Sequence, residues 1–144
     1  MHISDVLRVK GTDVVTITPD TKVRRLLAVL AEHRIGAVVV SHDGIAVDGI
    51  AGERDIVRAL AKRGAAVMSE PVMAICAAEV RTVTPQTPIE EVMRMMTERR
   101  VRHVPVVVDG GLHGIVSIGD VVKIRIGELE TERTALTDYI TGTR

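Results

Sequence analysis

The chain has 144 residues, 46% of them hydrophobic, and its 19 Lys and Arg balance 19 Asp and Glu. This hydrophobic share is enough for a packed core and excludes a disordered chain. A net charge of zero provides no overall field to attract DNA or an anionic membrane. With no Phe, no Trp and one Tyr, the chain also lacks the aromatic side chains on which single-stranded bases stack.

Cys76 is the only cysteine, so no intramolecular disulfide can form, and this favours a reducing compartment. No apolar run reaches the length of a membrane span, and the N-terminus lacks a secretory pattern. We therefore expect a cytoplasmic protein without membrane association. Neither metal-ligand spacing nor a catalytic motif is present, so we expect no metal site, no catalytic residue and no enzymatic activity.

The first elements in chain order are two predicted helices. Residues 3–7 suggest a short helix with Ser4 as its cap. Residues 16–21 then lead into a helix that Thr21 caps and that ends near His33 and Arg34. Apolar residues at helical spacing form one stripe along this second helix: Val23, Leu26, Leu27 and Leu30.

Two strands, a helix and a linker follow. Residues 37–40 form an apolar β run, a turn lies at 43–44, and a second strand covers 48–51. Another helix begins near Asp55. Residues 62–80 read as a linker with Gly64 and Pro71 as breakers, in which 67–68 and 72–73 suggest a short helix.

The same pattern then recurs. Residues 82–87 repeat residues 16–21, and the next helical stripe lies at the same shift: Ile89, Val92, Met93 and Met96. Thr87 to Glu90 has the form of a capping box, and the helix should end near Arg99 and Arg100. Strands are predicted over 104–108 and 113–116, and a helix begins near Asp120. The chain is therefore two copies of one β-α-β-β-α unit.

Each unit ends in a Gly-apolar-x-[Ser/Thr]-x-x-Asp signature, at residues 49–55 and 114–120. Two such units resemble tandem cystathionine-β-synthase (CBS) domains, a Bateman module, and particularly the stand-alone bacterial proteins that consist of two CBS domains. The resemblance implies an α/β (α+β) fold in which two β-α-β-β-α repeats pack with pseudo-two-fold symmetry. We assign 1–65 to repeat 1 with an N-terminal segment, 66–127 to repeat 2, and 128–144 to a C-terminal helical extension.

The resemblance also implies two clefts that hold adenosine-type ligands such as AMP, ADP, ATP, NAD or S-adenosylmethionine, none of them an obligatory cofactor, and often a homodimer. In copy two, the signature places Ser117, Ile118, Gly119 and Asp120 where a strand gives way to a helix. Backbone N–H groups there suit a phosphate, and the Ser117 hydroxyl adds a donor. Asp120 would repel a phosphate and should accept the ribose hydroxyls, while Gly119 leaves room. Alternatively, Ser117 and Asp120 are ordinary capping residues.

Copy one departs from the signature, because Gly52 stands at the Ser/Thr position while Asp55 remains. Arg54 replaces the glycine and either contacts a phosphate or pairs with Glu53 on the surface. Copy one therefore binds a different ligand, binds weakly or stays empty, and copy two is expected to be the better nucleotide site.

Further cleft residues follow from the resemblance. Gly36 and Ala37 would let a base or sugar lie against the backbone, whereas Arg102 and His103 would supply positive charge near phosphates. The alternative for this basic cluster, Arg99 to His103, is a set of helix C-terminal cations. Three further residues lie just before the first strand of each repeat, where they either contact the ligand or form a polar turn: Lys10, Thr12 and Ala78.

The sequence thus predicts a regulatory module whose conformation changes when a nucleotide binds and is read by an unknown effector protein. One rival is a structural or dimerisation module with non-binding clefts, which Gly52 favours. The other is nucleic-acid binding, which only the basic cluster from Arg99 to His103 supports. Leu129, Leu136 and Ile140 could line one helical face of the tail, which packs either on a dimer partner or over the core.

Overall fold

The computed structural model describes residues 1–77 and 79–142 and has the expected mixed α/β architecture. Its elements follow in chain order as α1 (Ile3–Lys10), β1 (Thr16–Ile17), α2 (Val23–His33), β2 (Ala37–Val40), β3 (Gly49–Gly52), α3 (Glu53–Arg63), α4 (Ile89–Arg99), β4 (His103–Val108), β5 (Gly111–Ser117) and α5 (Ile118–Thr141). Two short 3-10 helices, Ala65–Ser69 and Val72–Ala74, confirm the helical linker. The β-α-β-β-α order is confirmed in copy one, and copy two repeats it with a single β-bridge in place of its first strand.

The predicted helix ends are confirmed, but the predicted caps are wrong. Helices α2 and α4 both end in a left-handed residue, Arg34 and Arg100, with φ of 53° and 54°. They begin after Lys22 and Pro88, neither of which makes a side-chain cap.

The threonines expected as caps serve the preceding turns instead. The Thr87 hydroxyl accepts a hydrogen bond from the Thr84 N–H at 3.0 Å, and Thr21 contacts the Thr18 hydroxyl at 3.0 Å. At the N-terminus, α1 begins two residues earlier than a Ser4 cap would require, with His2 in the cap position.

The strands form two small sheets. In copy one, β1 lies parallel to β2, and β2 pairs antiparallel with β3. In copy two, β4 pairs antiparallel with β5, and the first strand is reduced to one parallel bridge between Val83 and Val106. The register places the signatures in equivalent positions, because Ala37 lies opposite Gly52 as His103 lies opposite Ser117.

The segments before each repeat are exchanged between the two cores. The N-terminal segment, expected to accompany copy one, packs in the core of copy two through Ile3, Val6 and Leu7. Conversely, Val72 of the linker lies in the core of copy one. Backbone hydrogen bonds fix both placements, since Ile3 N–H donates to the Thr87 carbonyl at 3.0 Å and Val72 N–H donates to the Thr21 carbonyl at 2.8 Å. The N-terminal segment thus completes the core of copy two, and the linker completes the core of copy one.

The expected tail is the continuation of α5, which runs unbroken over Ile118–Thr141. Its apolar residues Leu129, Leu136 and Ile140 are 47%, 60% and 73% exposed. The alternative that these side chains cover the core is therefore wrong. No helix within the described ranges is both long and apolar enough to cross a membrane.

Candidate functional site

The two signatures end at equivalent strand-to-helix junctions. Glu53 N–H donates to the Gly36 carbonyl at 3.1 Å, and Ile118 N–H donates to the Arg102 carbonyl at 2.8 Å. In both copies, the start of the signature helix is thus tied to the residue that precedes the long strand. The backbone frame of the two candidate clefts is shared, and their differences come from side chains.

A cavity of about 270 Å³ lies where residues of both copies meet. We call it the inter-repeat cavity, and its lining comprises Gly36, Ala37, Ile50, Gly52, Glu53, Arg54, Asp55, Arg58, Ala77, Arg99, Arg100, Val101, Arg102 and His103. The structure therefore brings the predicted copy-one residues together with Arg102 and His103 of copy two. The sequence predicts these last two beside Ser117 and Asp120, and their backbone does pair with that signature, while both residues also line the inter-repeat cavity.

Asp55 is the half-buried carboxylate of this cavity. Its Oδ2 accepts a hydrogen bond from the Gly52 N–H at 2.8 Å. Burial raises the pKa of the Asp55 carboxyl, and the Gly52 hydrogen bond and the positive charge of Arg58 only partly oppose this. Asp55 forms no ion pair with any residue that the structure describes. It can therefore still accept hydrogen bonds from a ligand.

Five arginines line the same cavity: Arg54, Arg58, Arg99, Arg100 and Arg102. None of their guanidinium groups forms an ion pair or hydrogen bond with another described residue, and this includes the expected alternative pair of Arg54 with Glu53. Sequence reasoning missed Arg58 and Ile50. Arg58 could have been found, because it lies three residues after Asp55 on the same face of α3.

The space around Gly52 leaves no room for a side chain. A Cβ at Gly52 would lie 2.6 Å from the Gly36 carbonyl oxygen and 3.3 Å from the Ala37 Cβ. Since the nearest atom belongs to the backbone of the paired strand region, it cannot move aside cheaply. A serine or threonine at position 52 would therefore clash with the Gly36 carbonyl unless the backbone shifted.

The copy-two signature is arranged differently, although its capping contacts are present. Ser117 Oγ accepts from the Asp120 N–H at 3.1 Å, and Asp120 Oδ2 accepts from the Ser117 N–H at 2.8 Å. The same Oδ2 also accepts from Lys10 Nζ at 2.6 Å, and this ammonium donates to the Ile115 carbonyl at 2.8 Å.

The carboxylate of copy two is thus already paired. Burial acts to raise the pKa of the Asp120 carboxyl, but hydrogen bonds from Lys10 and Ser117 outweigh it and lower the pKa. Asp55 in copy one has no such ammonium, because Cys76 stands where the repeat would place Lys10. Burial and the charge of Asp55 raise the pKa of the Cys76 thiol to about 11.

Lys10 and Asp120 lie at the edge of a second cavity, of about 630 Å³, between α1 and α5. Its walls are largely apolar, from Val6, Val9 and Ile124. Three other predicted residues, Ser117, Ile118 and Gly119, line neither this cavity nor the inter-repeat cavity. The same holds for Thr12, which is exposed in the turn after α1, and Ala78 lies outside the described residues.

His103 lies between the two signatures. Burial and the nearby charges of Lys10 and Arg102 lower the pKa of its imidazole, while Asp120 and Glu53 oppose them. A Cβ at Gly36 would lie 3.1 Å from the His103 Cε1, so the bare face of Gly36 accommodates this ring. The sequence predicts that Gly36 makes room for a ligand, whereas in the structure the His103 ring lies against it. No group of three or more potential metal ligands occurs among the residues described.

Comparison with known proteins agrees with this architecture. The family model described as "CBS domain" matches residues 3–62 and 65–127. The mitochondrial CBS domain-containing protein CBSX3 of Arabidopsis thaliana is 38% identical over 97% of this chain and 72% of its own length.

Two solved structures share the fold. The CBS-domain containing protein ATU1752 from Agrobacterium tumefaciens has 44% identity and a TM-score of 0.83, covering 87% of this chain and 99% of its own. CBS domain protein PAE2072 from Pyrobaculum aerophilum, complexed with AMP, has 29% identity and a TM-score of 0.73, covering 83% and 89%. The chain thus belongs to the CBS-domain family and contains two CBS domains in tandem.

Proposed function

We propose that this protein is a regulatory module that binds an adenosine-containing ligand in the inter-repeat cavity. The observation that carries the proposal is Asp55, a half-buried carboxylate that, like the arginines beside it, forms no ion pair within residues 1–77 and 79–142. The AMP complex of the Pyrobaculum aerophilum relative supports the choice of an adenosine ligand. The arginines are exposed, but they surround a cavity that also holds the half-buried Asp55, whose charge would repel a nucleic-acid phosphate.

Each part of such a ligand has a chemical counterpart in the cavity. The Asp55 carboxylate accepts hydrogen bonds from the ribose hydroxyls, and Ile50 and Ala77 offer an apolar surface to the base. Arg54 and Arg102 bind phosphate oxygens, for which the planar guanidinium can supply two parallel hydrogen bonds. No catalytic residue is part of this proposal.

Only one of the two clefts is open to a ribose in this proposal. In copy two, a ribose could reach Asp120 only by displacing the Lys10 ammonium from its bonds at 2.6 Å and 2.8 Å. The ligand gains little by this exchange, because it replaces an ion pair between two charged groups with a hydrogen bond from an uncharged hydroxyl. We therefore expect one nucleotide per chain, bound in the cleft of Asp55.

Binding would be signalled through the contact between the repeats. A ligand in the inter-repeat cavity contacts both copies at once, so it stabilises one relative arrangement of the two copies over others. An effector protein reads this change, and the protein acts in the cytoplasm as a homodimer that associates through the exposed face of α5.

Isothermal titration calorimetry with adenosine, AMP, ADP, ATP, NAD and S-adenosylmethionine tests the proposal. At least one ligand should bind with a stoichiometry of one per chain. Asp55→Asn should weaken that ligand at least about tenfold, because hydrogen bonds to the carboxylate charge are lost.

Asp120→Asn is the matched control and should leave the affinity unchanged. Failure of all six ligands to bind would refute the proposed regulatory function, which we call the sensor function. If Asp120→Asn abolishes binding while Asp55→Asn does not, the ligand occupies copy two and our choice of cleft is wrong.

A further inference from the structure

We infer that the inter-repeat cavity selects nucleotides with two or more phosphates over nucleoside monophosphates. This inference rests on the proposed function and specifies its ligand class. It comes from the arrangement of charge around Asp55, and in particular from arginines that the two copies contribute together.

The cavity concentrates positive charge in a chain whose net charge is zero. Its five arginines face only two carboxylates, Glu53 and Asp55, and no described acid pairs with any of the five guanidiniums. These side chains are exposed, so solvent ions screen part of their mutual repulsion, and a bound anion relieves the rest. A single phosphate can contact only some of these groups, so a longer phosphate chain relieves more of the repulsion.

The arginines reach the cavity from two directions. Arg54 and Arg58 belong to α3 of copy one, whereas Arg99 ends α4 in copy two and Arg100 and Arg102 follow it. The chain turns at Arg100, which has a φ of 54°, and this turn brings residues on both sides of it to the cavity. Phosphates that extend from a ribose on Asp55 would therefore bridge the two copies.

The space next to Asp55 fits an elongated ligand. A second depression of about 360 Å³ adjoins the cavity and shares Asp55, Arg58 and Ala77 with it. Its remaining wall comprises Ala59, Lys62, Arg63, Ala74, Ile75 and Cys76, so it adds two further cations to those of the cavity. A ribose bound to Asp55 thus has the apolar surface of Ile50 and Ala77 for a base, and cationic side chains along the walls for phosphates.

Titration of the full chain with adenosine, AMP, ADP and ATP, without divalent cations, tests the inference. We expect affinity to rise from adenosine to ATP, with at least about a tenfold gain from AMP to ATP, since hydrogen bonds to charged groups each contribute this much. The gain should shrink as salt is added, because ions screen the exposed arginines.

Arg99→Gln/Arg100→Gln should lower ATP affinity to about that of AMP and leave adenosine affinity unchanged. The matched control is Arg94→Gln/Arg133→Gln, which removes two exposed arginines that do not line the cavity and should preserve the ATP preference. Equal affinity of the unsubstituted chain for AMP and ATP would overturn the inference while leaving the sensor function intact. If none of the four ligands binds but S-adenosylmethionine does, the phosphate preference is also refuted.

Discussion

Asp55 and Asp120 occupy the same place in the two repeats, yet their surroundings act on them in opposite directions. Each accepts a hydrogen bond from the backbone N–H at the end of its strand, at 2.8 Å in both copies. Only Asp120 also has an ammonium at 2.6 Å. The pKa of Asp55 is raised by its burial, whereas hydrogen bonds from Lys10 and Ser117 overcome burial and lower the pKa of Asp120.

This difference predicts opposite effects of the same substitution on stability. The folded chain pays for ionising Asp55, so Asp55→Asn should raise the melting temperature at neutral pH. This gain should disappear as pH falls below the ordinary pKa of 3.8, where the carboxyl is neutral in both states.

Asp120→Asn should lower stability at neutral pH by about 1 kcal/mol, because Lys10 loses the anion of a partly exposed pair. The loss should be complete above pH 3.8 and vanish as pH falls through the depressed pKa of folded Asp120. Thermal unfolding of both variants across this range provides the measurement. Shifts of the same sign for the two variants at neutral pH would contradict the electrostatic difference.

At the scale of elements, the spacing between β2 and the end of β3 determines the shape of the cavity. Gly52 lies opposite Ala37 in this strand pair, and its Cα approaches the Gly36 carbonyl so closely that a Cβ would be 2.6 Å from the oxygen. In copy two, the equivalent position holds Ser117 opposite His103. The equivalent positions of the two repeats thus differ in the side chain that they hold, none in copy one and a hydroxymethyl group in copy two.

Gly52→Ala should therefore destabilise the protein by about 1–3 kcal/mol, the usual effect of overpacking, because the strands must separate. Gly119→Ala is the control, since its Cβ would meet only Ser117 Oγ at an ordinary 3.6 Å. Alanine there should stabilise α5 by up to about 1 kcal/mol. Urea denaturation measures both, and an unchanged midpoint for Gly52→Ala would show that the strand pair opens freely.

At the scale of the whole molecule, the C-terminal half of α5 carries apolar side chains that no described residue buries. Leu136, Tyr139 and Ile140 are 60%, 73% and 73% exposed. Exposed apolar surface of this kind is typical of interaction sites. Self-association through this helix would bury the surface and place two inter-repeat cavities in one assembly.

Leu136→Glu should therefore convert a dimer into a monomer, because a charge would be buried at the interface. Thr134→Glu, which lies on a different face of the same helix, should leave the dimer intact. Light scattering after size-exclusion chromatography gives the masses. A monomeric unsubstituted chain at all concentrations would argue against this interface.

Much of the fold follows from the sequence, because its determinants are local. Helical spacing around Leu26 and Val92 and the apolar strand runs predict the elements, and the repetition of these patterns predicts two equivalent units. The signature likewise predicts that Asp55 and Asp120 begin equivalent helices, as they do. Such patterns depend on neighbours within a few residues, which the sequence displays directly.

Tertiary structure alone decided what those aspartates contact. Lys10 reaches Asp120 across 110 residues, and arginines at the end of α4 line the same cavity as Asp55 of the other repeat. The exchange of α1 into the core of copy two is equally invisible to periodicity, because an amphipathic helix can be buried against either repeat. The sequence thus determined two similar strand-to-helix junctions. Long-range packing paired the Asp120 carboxylate with the Lys10 ammonium and left the Asp55 carboxylate available to a ligand.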